Sequence, residues 1–320
     1  MTRAPDMPLA VPSPAPAPEA ILVASAQGGR GRLTFLAGGM RELGRSRSAV
    51  LGGVLLALVV LSCLLLPWAW GVDPDATNLL NRFVPPAWTE GGSWNHPLGT
   101  DNLGRDVMAR LLAGGQISLM VAFCTVLVAV TVGMTLGMVA GYYGGWVDTV
   151  TMRIGDLFLA YPFMLLTISV IAILGPSLIN LIIVLALSDW VTYARTVRGS
   201  VLSVKEREFV TAARAIGTRD SAIIWRHVMP NVLSPLLVLG TVRAANYIIW
   251  ESGLSFLGMG VPPPTPTWGM MLSDGRNSIL DAWWLATLPG VAIMITILAV
   301  NLLGDGLRDT LDPRLKRVLK

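Results

Sequence analysis

Beyond residue 48 the chain alternates between long apolar runs and polar stretches, and the run lengths identify the elements. Residues 49–70 carry no charge and, at a rise of ~1.5 Å per residue, can cross a hydrocarbon layer ~30 Å thick as a helix. Residues 71–115 turn polar, rich in Pro, Trp, Asn and Asp, and form the first large hydrophilic segment. Residues 117–146 then run 30 positions without a charge. Inside that run Gly133, Gly137, Gly141 and Gly145 recur at every fourth position, which predicts a groove for close helix packing, within the chain or with a partner, unless the glycines are merely tolerated singly. A third span is predicted over 157–174 with a kink at Pro162, then a Gly175-Pro176-Ser177 turn and a fourth span ending near Tyr193. The fifth covers about 232–250, a second polar loop 251–282, and the sixth about 283–303.

The pattern therefore predicts an all-α polytopic membrane protein with six transmembrane helices. The N-terminal tail occupies 1–48, the first helix 49–70, an outer segment 71–115, a five-helix core 116–305 with a loop at 200–230, and a C-terminal tail 306–320.

That loop interrupts the pattern most sharply. Residues 204–231 carry eight charges in 28 positions, between segments that are almost purely apolar. Phe209, Ala212, Ala213 and Ile216 recur at i, i+3, i+4 and i+7, one face of a helix, while Arg207, Thr211 and Arg214 fall on the other. Gly217 follows and stops the helix, as a residue free to adopt a left-handed conformation does. A short amphipathic helix with a small-residue face is expected here.

Composition agrees with a membrane protein: of 320 residues 53% are hydrophobic and 14% charged. The tail at 1–48, with Pro alternating with small residues, is read as disordered. The net charge of +4 comes without a nucleic-acid motif, and its distribution explains it better. Of 24 Lys and Arg, 19 fall in the two tails, near Arg153 and between Arg195 and Arg226; four (Arg82, Arg105, Arg110, Arg276) fall on the opposite side. This asymmetry predicts that both termini and the central loop are cytoplasmic.

An energy source is missing. No G-x-x-x-x-G-K-[ST] occurs, and Lys205, Lys316 and Lys320 are the only lysines. His96 and His227 fall on opposite sides of the membrane, Cys63 and Cys124 lie separately in apolar runs, and no metal-ligand spacing or nucleophile elbow is present. Arg243 is predicted midway along the fifth span, where a charge costs ~2.5–3.5 kcal/mol on insertion scales. It faces the translocation pathway, forms a structural ion pair, or marks a span that begins later. Asn246 is the second pathway candidate, and Asp189 is expected to reach the interface at the end of the fourth span.

Four stretches resemble the inner-membrane permease subunits of the dipeptide/oligopeptide/nickel class of ABC transporters. They are His96-Pro-Leu-Gly-Thr-Asp101 with Gly104-Arg-Asp106; Glu208-Phe-Val-Thr-Ala-Ala-Arg-Ala-Ile-Gly217; Leu254-Ser-Phe-Leu-Gly-Met-Gly-Val-Pro-Pro263 with Thr267-Trp-Gly269; and Asn301-Leu-Leu-Gly-Asp-Gly-Leu-Arg-Asp309 before Leu311-Asp-Pro313. The second resembles the loop by which such permeases meet their ATPases, written E-A-A, three residues, G, nine residues, I-x-L-P. Ala212, Ala213, Gly217 and Pro230 match it; Thr211 replaces the Glu, with Glu208 one turn earlier as a substitute, and His227 and Met229 replace Ile and Leu.

The resemblance implies a type I importer permease in the bacterial inner membrane, without its own ATPase site or cofactor. Its implied partners are a second homologous permease, two ABC ATPase subunits that use ATP and Mg, an extracytoplasmic substrate-binding protein and the lipid bilayer, with no nucleic acid. Glu208, Phe209, Thr211, Ala212, Ala213, Ile216 and Gly217 would form the coupling contact. Pro262, Pro263 and Pro264 would stiffen an outer loop, for the binding protein or for rigidity alone. Di- or oligopeptides are the expected cargo, with nickel or another small solute as the alternative. A channel or carrier independent of ATPases, or a membrane enzyme, are the readings from other classes; inverted repeats or a clustered site would mark them.

Overall fold

The computed structural model describes Gly44 and residues 46–311, a bundle of helices whose ends are set by caps and prolines. The tail at 1–43 and the last residues, 312–320, lie outside the described residues. Helix α1 (Arg47–Trp70) starts at Ser46, whose hydroxyl accepts from the Ala49 amide, and stops at left-handed Gly71. Pro67 within it has no N–H for the Cys63 carbonyl. Gln116 Nε2 donates to that carbonyl at 2.6 Å instead, fastening α1 to the next helix. This helix, α2 (Val107–Tyr143), begins at Asp106 and has 37 residues, about 55 Å, so it extends beyond a bilayer core. It takes up the last turns of the segment that the sequence assigns to 71–115.

Helices α3 (Gly145–Ala160) and α4 (Phe163–Leu174) meet at 89°. The single kinked span expected at 157–174 is thus replaced by two helices, because Pro162 drives Tyr161 into an extended conformation and ends α3 outright. Helix α5 (Leu178–Lys205) is followed by the short α6 (Glu208–Ala215). Next, α7 (Asp220–Phe256) includes a π-helical turn at Ile224–Val228, where Pro230 offers no N–H to the carbonyl four residues back. The loop expected at 200–230 therefore contracts to the residues between α5 and α7. Helices α8 (Trp268–Arg276) and α9 (Trp284–Leu311) complete the chain, and α9 absorbs residues 306–311 of the expected tail.

Five of these helices are long and apolar enough to cross a membrane. The bent α3–α4 pair is, taken together, also long and apolar enough to make one crossing, and it carries the chain back between α2 and α5, as their packing requires. Gly133 lies against Trp190 and Tyr193, Gly137 against Ala194 and Val197, and Gly141 against Val201. The contacts advance in the same direction, so α2 and α5 run parallel and the chain must return between them. At Gly133 a Cβ would stand 2.7 Å from the Trp190 carbonyl oxygen, a separation only glycine permits. Gly145 is not part of this groove; it sits in the turn after α2 at φ +57°. Helix α1 packs antiparallel on α9, with Gly52 at Ala299 and Ala49 at Gly306.

Candidate functional site

Helix α6 joins the ends of α5 and α7 and is fixed on one side only. Val210 and Ala213 are buried, in one apolar cluster with Val204, Ile223 and Val228. Its C-terminus closes as a Schellman motif: Thr218 N–H donates to Ala213 O and Gly217 N–H to Arg214 O, with Gly217 at φ +78°. Tyr142, at the end of α2, ties the helix down further. Its hydroxyl donates to Asp220 at 2.5 Å and accepts from Arg214 Nη2 at 3.3 Å, and the Arg214 guanidinium lies 5.5 Å over its ring. The bond to Tyr142 holds the Arg214 pKa above its ordinary value.

This anchoring takes one residue, Ala213, out of the expected apolar face. Of Phe209, Ala212, Ala213 and Ile216, only Ala213 is buried; the other three are exposed, Ile216 by 83%, with the Phe209 ring 6.1 Å from that of His227. Sequence reasoning missed Val210, although Val210, Ala213 and Gly217 form their own i, i+3, i+7 stripe. Glu208 and Thr211 are exposed as well, so α6 presents an uncovered surface of apolar and small residues edged by a carboxylate.

A second polar cluster lies at mid-depth between α5 and α7. Arg243 is at the midpoint of the Met229–Phe256 stretch, and its Nη1 pairs with Asp189 Oδ1 at 3.4 Å. Thr192 donates to Asp189 Oδ1 at 2.8 Å and Tyr247 to Oδ2 at 2.8 Å. Asp189 is buried, so the expectation that it reaches the interface is wrong: three groups from two helices hold it inside. The ion-pair reading of Arg243 is realised, while its side chain keeps 24% exposure. Asn246, one turn further along α7, is half-buried.

Glu251, assigned by the sequence to a polar loop, is instead a fully buried residue of α7. Hydroxyls of Ser255 (2.7 Å), Ser118 (3.1 Å) and Ser252 (3.4 Å) satisfy it. The serines one and four residues after it were the available signal.

The first and third motif stretches meet at the end of the bundle away from α6. His96 Nδ1 lies 2.8 Å from Asp106, which also caps α2 through the Ala109 amide at 2.8 Å. Asp101 accepts from the Leu103 and Arg105 amides and from Arg105 Nε at 2.6 Å. Trp268 donates to Leu111 O at 2.8 Å, and Trp284 to Thr100 O at 3.2 Å. Pro262, Pro263 and Pro264 stay exposed on the loop before α8.

Two family descriptions match the chain. Residues 133–317 match "Binding-protein-dependent transport system inner membrane component", and residues 34–86 match "N-terminal TM domain of oligopeptide transport permease C". The chain is 41% identical over 267 residues, 83% of its length and 88% of the relative's, to the di/tripeptide transport system permease protein DppC of Pseudomonas aeruginosa. It is 41% identical over 273 residues, 85% and 92%, to the dipeptide transport system permease protein DppC of Haemophilus influenzae. It is 41% identical over 276 residues, 86% and 89%, to the glutathione transport system permease protein GsiD of Escherichia coli. Among solved structures, the MetNI methionine ABC transporter in inward-facing conformations shares the fold, with a TM-score of 0.51 at 18% identity over 63% of this chain and 96% of that one.

Proposed function

This chain belongs to the binding-protein-dependent transport system inner membrane components, the permease subunits of ABC importers, and from that premise we propose that it forms half of a translocation pathway for di- and oligopeptides. The other half is a second homologous permease. Two ABC ATPase subunits that use ATP and Mg lie below, and an extracytoplasmic substrate-binding protein delivers cargo from above. Both termini and α6 are cytoplasmic in this reading, following the excess of Lys and Arg at that end. The chain itself holds no cofactor.

The observation that carries the reading is the uncovered face of α6. A helix of eight residues is too short to be stable by itself in water; here it is capped and anchored, yet leaves Phe209, Ala212 and Ile216 outward. Such a surface suits docking into a groove of an ATPase, with Glu208 at its edge in place of the acidic residue that Thr211 lacks. ATP-driven closure of the ATPases would shift α6 as a rigid body. Its neighbours α5 and α7 must follow, because Asp189, Tyr247 and Arg243 pin them together at mid-depth. Arg243 and Asn246 line the pathway that this movement opens to alternate sides. Peptide cargo is favoured over nickel because the relatives named above are permeases for di- and tripeptides and for glutathione, itself a tripeptide.

Purification in mild detergent tests the assembly: a second permease and two ATPases should co-elute, and their absence contradicts it. Gly217→Trp tests the coupling. A side chain at φ +78° is strained, so this variant should insert normally, retain ATP hydrolysis and lose uptake; wild-type uptake would rule out α6 as the coupling element.

A further inference from the structure

The mid-depth cluster is bonded unequally. Asp189 is satisfied by two hydroxyl donors at 2.8 Å each, from Thr192 and Tyr247. Arg243 reaches the same carboxylate only at 3.4 Å and Thr192 Oγ1 at 3.3 Å, well beyond the ~2.7–2.9 Å of charge-assisted bonds. A guanidinium has more N–H donors than these two contacts use, and part of this one remains exposed. At the midpoint of a spanning helix an exposed charge cannot be left facing acyl chains, at ~2.5–3.5 kcal/mol on insertion scales. In the pathway reading given above, the free edge of Arg243 faces the water-filled path between the two permeases.

The surroundings fit an anion with an apolar body attached. Asn246, half-buried, follows three residues later on α7. The Arg243 guanidinium lies 6.0 Å over Trp250, and Trp250 packs on Phe163 of α4 with ring centroids 4.0 Å apart and planes tilted by 34°, which puts an aromatic pair beside the charge. Around the helix from Arg243, Gly240, Thr241, Ala244 and Ile248 line a mostly apolar hollow against α1 and α2, whose polar members are Gln116 and Thr241.

We propose that Arg243 is a carboxylate receptor within the pathway: the C-terminal carboxylate of a passing peptide pairs with its free N–H donors, with Asn246 and Trp250 beside it. Asp189 competes for the same guanidinium and keeps the contact transient, as passage through a pathway requires. The inference rests on the pathway reading of Arg243 given above.

The test uses the complete complex in proteoliposomes with its binding protein. Arg243→Gln should lower dipeptide uptake at least about tenfold, the loss of roughly one charge-assisted contact. Arg243→Lys should recover part of the uptake. The double variant Arg243→Gln/Asp189→Asn removes both charges and should stay defective. Wild-type uptake by Arg243→Gln overturns the proposal; so does restoration in the double variant, since Arg243 would then serve only to neutralise Asp189. A second measurement needs no variant: binding of a labelled dipeptide and of its C-terminal amide to the purified complex without binding protein. The free acid should bind about tenfold tighter, and lack of discrimination overturns the proposal. Failure of the importer reading itself looks different, as a wild-type complex that retains no ATPase.

Discussion

At the end of the bundle away from α6, Trp268 and Arg110 are each 1% exposed; at the other, Ile216 is 83% exposed on a helix of eight residues. Both regions carry family motifs, and the motifs do different work. In the cap, Asp101 holds Arg105, Asp106 and Thr267 cap the starts of helices, and Trp268 donates to the Leu111 carbonyl. In α6, Val210, Ala213 and Arg214 are spent on the bundle, and Phe209 touches it at the His227 ring while staying exposed. A motif whose side chains are internally satisfied is building the fold, whereas one that leaves apolar side chains outward is prepared for a partner.

Substitutions can break this contrast or sharpen it. Trp268→Ala should have the largest effect, ~3–5 kcal/mol of stability, because it empties the cap and removes the indole donor to the Leu111 carbonyl; thermal unfolding of the purified protein in detergent would register it as a large fall in Tm or as loss of monodisperse protein. Gly137→Leu should follow at about 1–3 kcal/mol, since its side chain would be driven into the Ala194 backbone of α5. The same thermal measurement should show it, and an unchanged Tm would mean that the α2–α5 groove can open without cost. Val210→Ala removes apolar contact beneath α6 and should cost about 1–2 kcal/mol. Its sharper readout is local: amide hydrogen exchange in α6 should accelerate while exchange in the cap stays slow.

Much of the fold was legible because spanning helices are written in composition: charge-free runs are a direct consequence of an apolar solvent. The glycine repeat was legible for a similar reason, as close approach of two backbones leaves no room for a Cβ. Long-range polar pairing was not. Asp189 and Arg243 are 54 positions apart and each is a lone charge in an apolar run, so neither carries a sign of the other. Glu251 read as loop because a charge normally marks a span's end; the three serines that accept it into the helix include Ser118, from a distant segment. Pro162 announced a break but not its 89° angle, which follows from where α3 and α4 find their packing partners. At α6 the helix and its stop were legible, but two overlapping apolar stripes left its buried side ambiguous until Val210 and Ala213 were seen beneath it.

The central claim is that the exposed side of α6 belongs to a partner and not to the fold. The double variant Phe209→Asp/Ile216→Asp tests it most directly, by co-purification with the full set of transporter subunits. Both side chains are exposed, so the permease should keep its Tm within ~0.5 kcal/mol of stability and still associate with the second permease. It should no longer retain the ATPases. Stoichiometric ATPases on a normally folded variant would contradict the account.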